Sequence, residues 1–196
     1  MRLLAAALVL CGLTMGCAHP VATAGRVACD ASDAIAAELA TIDEGERIAA
    51  TIAESEMTSE QHDLVERAAV LLESHDRSVS AQDIAILDRT VDLLSSVAVW
   101  DREDDRQCHP EDTRFSLFCA LRRASEDTLG SYQHRRVALQ EVRFALEEAT
   151  NGRPYEHRLR DFNNDPSTTL ADVHAVIAAA RNEIASRLAH QRAACS

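Results

Sequence analysis

Beyond residue 30 the apolar residues of this chain recur at three- and four-residue spacing, and they do not alternate over any useful length. That period puts them on one face of a helix and excludes a sheet built from half-buried strands. Composition acts in the same direction. Alanine is abundant, aromatic residues make up 4% of the chain, and only six Gly and four Pro interrupt 196 residues. The expected fold class is all-α, a helical bundle of about five helices.

The stripes can be followed one by one. Ile35, Leu39, Ile42, Ala49 and Ile52 share the first, which Gly45 either weakens or splits. Thr58-Ser59-Glu60-Gln61 reads as a capping box opening a second helix, with Leu64, Val65, Ala68, Leu71 and Leu72 inward and an end near His75. Ser80-Ala81-Gln82-Asp83 opens a third in the same way. Its two adjoining stripes, Ile84–Leu87–Val91–Leu94–Ala98 and Ile86–Leu93–Val97–Trp100, suggest a central helix with neighbours on two sides. After a charged loop from Asp101 to Pro110, a long helical stretch from about Thr113 to Thr150 closes at Asn151-Gly152, with a kink or break expected near Gly130. The last helix follows Asp165-Pro166, with Thr169 and Asp172 as cap and third-position acid, and turns Leu170, Val173, Ile177, Ala180, Ile184 and Leu188 inward.

The first 28 residues are of another kind. Met1-Arg2 precedes an uncharged apolar run from Leu3 to Leu13, and Thr14-Met15-Gly16-Cys17 follows. A positive start, a short apolar run and small residues at a cut site describe a secretory signal. The run falls short of the roughly 20 apolar residues that a transmembrane helix needs. Gly16-Cys17 in this place resembles the lipobox of bacterial lipoproteins. The resemblance covers the leader alone and implies removal of residues 1–16 and acylation of Cys17, with palmitate-type chains. Ala18 in second place implies sorting to the outer membrane, facing the periplasm. A second small-x-small site, Ala22-Thr23-Ala24, would instead release a soluble periplasmic protein. Residues 17–28, with Pro20 and Gly25, read as a flexible tether, and 29–196 as the helical domain.

Cysteine arithmetic points to the same compartment. Setting aside Cys11 in the leader and Cys17, four remain: Cys29, Cys108, Cys119 and Cys195. An even number in an oxidising compartment suggests disulfides, and four cysteines allow three pairings. A Cys108–Cys119 bridge would close a short loop worth about 3 kcal/mol, and a Cys29–Cys195 bridge would tie the ends for about 5. The spacing matches no zinc or CxxC redox pattern.

Charge narrows the range of partners. All 20 basic residues are arginine, so lysine-nucleophile and Schiff-base chemistry on a side chain is excluded. The net charge of −12 is concentrated between Asp30 and Asp92, where sixteen carboxylates face four arginines. That distribution argues against nucleic acid and permits a basic protein partner. The rest is balanced, with arginine pairs at Arg122–Arg123 and Arg135–Arg136 and a group at Arg153, Arg158 and Arg160.

No HExxH, GxSxG, SxxK or glycine-rich phosphate loop occurs. Asp161 to Asp172 resembles an EF-hand calcium loop in its acids and amides, but Pro166 stands where that loop needs Gly and Asp172 where it needs Glu. The alternative is a helix connection with Asp172 as a cap, and no metal or cofactor is expected. His157 and Asp161 lie at i,i+4 spacing, where a carboxylate can orient an imidazole. The expected function is that of a non-enzymatic cell-envelope lipoprotein, acting as a protein-binding or structural module. One alternative is a periplasmic inhibitor or immunity-type protein with an acidic docking face. Another is a metal-binding or enzymatic module around His157 and Asp161.

Overall fold

The computed structural model describes residues 31–194, which fold into an all-α bundle. Seven α-helices occur among them: α1 (Ser32–Thr51), α2 (Ser59–Leu72), α3 (Ala81–Leu93), α4 (Leu117–Leu129), α5 (Val137–Ala149), α6 (Arg158–Asn164) and α7 (Leu170–Ala194). A 3-10 turn at Glu54–Glu56 joins the first two. Cys17, Cys29 and Cys195, with the leader and tether, lie outside the described residues.

Helix starts follow local chemistry. Both halves of the Thr58/Gln61 box form: Thr58 Oγ1 accepts from the Gln61 amide at 3.3 Å, and Gln61 Oε1 from the Thr58 amide at 2.8 Å. At α3 the acid of the box does more than cap. Asp83 Oδ2 accepts from the Ser80 amide and hydroxyl, while Oδ1 accepts from Arg136 Nε at 2.8 Å and from the Ala138 amide. One fully buried carboxylate thus joins the starts of α3 and α5.

Seven helices stand where five were expected, for two reasons. The long stretch breaks at Gly130, which adopts the left-handed conformation (φ 77°) and ends α4 by donating to Glu126 O. Its second half restarts as α5. The short α6 was not expected as a helix of its own, since seven residues cannot display a helical period. The third helix is also shorter than its stripes imply. It stops at Leu93, and Val97, assigned inward, is 69% exposed. The chain turns there to bring Trp100 beside Phe115, with Phe115 N donating to Val99 O and Asp101 N to Phe115 O.

The main core lies between α3, α4, α5 and α7, with α6 against α4 and α5. Leu87, Leu121, Leu139, Leu146, Ile177 and Ile184 are fully buried there, each contributing about 1.5–3 kcal/mol of transfer free energy. Asn163 bolts the irregular segment to this core: its Oδ1 accepts from Trp100 Nε1 at 2.8 Å and the Leu117 amide at 3.0 Å, and its Nδ2 donates to Asp101 O. The Cys108–Cys119 disulfide, with Cα atoms 5.4 Å apart, fastens the same segment to α4.

Helices α1 and α2 form a hairpin with its own buried contacts, from Ile35, Ile42, Ile48 and Ala68. Gly45 neither ends nor splits α1. It is buried where the helices meet most closely: a Cβ there would lie 2.3 Å from Ala68 Cβ. The hairpin joins the body largely through polar groups. Glu38 accepts from the Ser78 amide at 3.0 Å and hydroxyl at 2.7 Å, Glu46 pairs with Arg135, and the His75 ring packs on Phe144 while Nδ1 lies 3.4 Å from Glu141.

Candidate functional site

Two surfaces carry most of the polar groups that the fold itself does not consume. The first is a cleft of about 350 Å³ where the end of α2, the α4–α5 connection, α5 and the start of α6 converge. Leu72, Phe118 and Leu159 give it apolar walls, and Arg106, Arg135, Arg143, Arg158 and Arg160 reach it from four segments of the chain. Three of those guanidiniums have carboxylate partners: Arg135 with Glu46, Arg158 with Glu147 at 3.3 Å, and Arg160 with Asp161 at 2.7 Å. The other two do not. Arg143, half-buried on α5, bonds only Gln140 Oε1 at 3.2 Å, and burial, then the charges of Arg135 and Arg158, push its pKa down to about 10. Arg106 sits in the left-handed backbone region (φ 64°), its amide held by Asp104 Oδ1 at 2.7 Å, and its Nη1 donates to His157 Nε2 at 3.3 Å.

This geometry reassigns the His157–Asp161 pair. Asp161 Oδ2 accepts from the backbone amide of His157 at 2.9 Å and so caps α6, while its Oδ1 takes Arg160. The imidazole faces Arg106 instead. The carboxylate therefore does not orient the ring for acid–base work. Asp161 to Asp172 likewise spends its oxygens on the protein. Asp161, Asn163 and Asn164 lie on α6, Asp165 accepts from Ser167 and pairs with Arg153 at 2.5 Å, and Asp172 caps α7 through the Thr169 amide and hydroxyl. Among the described residues no group of three or more His, Cys, Asp and Glu is placed to hold a metal.

At the cleft wall His134 lies 2.9 Å from Tyr132 Oη through Nδ1. Although the residue is exposed, desolvation of its ring, then the charges of Arg143 and Arg135, push its pKa down to about 4. The sequence pointed to the pair Arg135–Arg136, but the two diverge. Arg135 faces the cleft and Glu46, and Arg136 is buried with Asp83. Arg143, His134 and Arg106 were not anticipated, because they are single residues from separate segments and share no spacing.

The second surface is the hairpin. Residues 31–76 hold twelve carboxylates and two arginines. Asp33, Asp43, Glu54, Glu60, Asp63 and Glu66 are among those exposed. An open groove runs between α1 and α2, lined by Thr41, Asp63, Glu66, Arg67 and Leu71, with Val70 64% exposed on it. No described helix is long and apolar enough to cross a membrane.

A helical body with a half-open arginine-lined cleft and an acidic hairpin on one side thus describes the molecule. The chain belongs to the Family of unknown function (DUF6197), whose model matches residues 78–183. That span starts just before α3 and ends within α7, so it covers the main core and leaves the acidic hairpin outside. No curated protein and no solved structure matches the chain.

Proposed function

We propose that this chain is an exported, lipid-anchored protein of the cell envelope that acts by binding a basic protein partner through its α1–α2 hairpin. Cys17 is the anchor and the outer membrane, facing the periplasm, its location. The observation that carries the binding role is the segregation of charge. Twelve of the sixteen carboxylates of the acidic stretch lie on one structural unit, nine of them exposed to solvent, and an exposed valine lies among them. Such a surface steers an oppositely charged partner and leaves an apolar contact at the point of docking. The unit lies outside the family-matched residues, which suits a partner particular to this chain. The Cys108–Cys119 bridge suits an oxidising compartment and supports export.

Cross-linking in native membranes tests the reading, with the wild-type chain beside a Glu60→Arg, Asp63→Arg, Glu66→Arg variant. The expected result is one dominant basic partner, lost in the variant and weakened by salt. Capture that charge reversal leaves unchanged would overturn the docking face. The intact mass of the membrane-extracted protein decides the anchor: it should begin at Cys17 with acyl chains, and a mass beginning at Gly25 would make the protein a free periplasmic one.

A further inference from the structure

We infer that the cleft between α5 and the start of α6 is a binding site for a phosphate-type oxyanion, held by Arg143 and Arg106. This goes beyond the hairpin reading and does not depend on it.

The inference rests on what the two guanidiniums lack. A half-buried arginine is ordinarily paired with a carboxylate, because an isolated charge withdrawn from water is costly. Arg143 has only the neutral amide oxygen of Gln140, and Arg106 only an imidazole nitrogen. The two carboxylates that line the cleft, Glu73 and Glu156, are exposed at its rim and bonded to neither arginine. Arg135, Arg158 and Arg160 also line the cleft, each already paired with an acid. Repulsion among these cations is part of what depresses Arg143 and His134, and a bound anion would relieve it.

Shape and chemistry select the class. A cleft of about 350 Å³ lies at the small end of the range, roughly 300–1,000 Å³, in which small-molecule ligands bind. Two guanidinium forks without acids balance a dianion, and planar forks match phosphate oxygens in bidentate fashion. The backbone at Arg106 is held in a conformation that non-glycine residues rarely adopt, by its amide bond to the buried Asp104, and this fixes the residue beside His157.

The test is a titration of the full chain with inorganic phosphate, followed by calorimetry and by the NMR signals of the arginine Nε–H groups and His134. Saturable binding with shifts at Arg143 and His134 is expected. Arg106→Gln, on an exposed loop, and Arg143→Gln should each weaken it roughly ten- to a hundredfold, the loss of one charge-assisted bond. Should Arg143→Gln fail to fold, Arg106→Gln alone carries the comparison. Parallel titrations with glycerol 3-phosphate and with phosphatidylcholine vesicles containing phosphatidic acid separate the sources. Preference for phosphate itself assigns a free oxyanion, preference for the ester a soluble phosphoryl compound, and vesicle binding a lipid headgroup. A response no different from sodium chloride at equal ionic strength would overturn the site, as would binding indifferent to both substitutions. Acetate binding as tight as phosphate would overturn the phosphate assignment.

Discussion

Asp83 shows how much one side chain can hold. Its carboxylate satisfies two donors of the α3 cap and also takes Arg136 and the first turn of α5. Removing it leaves the Arg136 guanidinium buried without its charge partner, a defect that costs about 3–5 kcal/mol. Asp83→Ala should therefore lower the unfolding free energy by an amount of that order, read from urea unfolding, with Asp83→Asn intermediate because it keeps part of the cap. The capping half of this role was legible in Ser80-Ala81-Gln82-Asp83. The Arg136 half was not, since no local spacing joins residues 53 apart. His134 carries a second prediction. Its folded pKa lies near 4 against an ordinary 6.5, so between those values the unfolded chain binds more protons. The resulting stabilisation is present above pH 6.5 and lost as pH falls toward 4. An NMR titration should find the His134 ring still neutral at about pH 5.5. A midpoint near 6.5 would mean that neither desolvation of the ring nor the charges of Arg143 and Arg135 act on it.

At the scale of elements, the joints matter more than the helices. Gly45 is the clearest case, because a sequence reading weighs it by helix propensity alone and sees a weak point. Packing reverses that reading: the missing Cβ is what lets α1 meet Ala68. Gly45→Ala gains about 0.5–1 kcal/mol of helix propensity and loses about 1–3 to the forced separation of α1 and α2. Net destabilisation is expected by thermal unfolding, and Gly45→Ala with Ala68→Gly should recover most of it. A stabilised single variant would show that the hairpin spreads without cost. The Cys108–Cys119 bridge is the other joint. It secures a segment without helix, and reduction should cost about 3 kcal/mol, read as a lower melting temperature in reductant. The sequence left its pairing open among three. Helix ends, in contrast, were legible only where a cap sits in the sequence. The α3 cap was, but its early end was not, because that end is set by the pairing of Trp100 with Phe115 and by Asn163.

The whole molecule divides close to a line that charge had drawn, with Asp83, Asp88 and Asp92 of the acidic stretch falling on the body side. The stripes of α3, α5 and α7 condense into one core, whereas those of α1 and α2 condense on each other and meet the body through Glu38, Glu46 and His75. The acidic half was legible because charge is additive along a chain, and the cleft was not, because it is assembled from four separated segments. Arg77 shows how that junction is built. Its guanidinium is buried at the hairpin's exit with no hydrogen bond, 3.6 Å from Glu38, and burial depresses its pKa. Such a junction gains little from apolar area and depends on charges, which salt screens and desolvation offsets. The hairpin should therefore open as a unit at lower free energy than the body does. Native-state hydrogen exchange provides the measurement. Amides of α1 and α2 should share one opening free energy below that of α3, α5 and α7, and added salt should narrow their protection without changing the core's. Equal protection throughout, insensitive to salt, would make the two parts one cooperative unit and place the hairpin's acidic surface on a rigid mount.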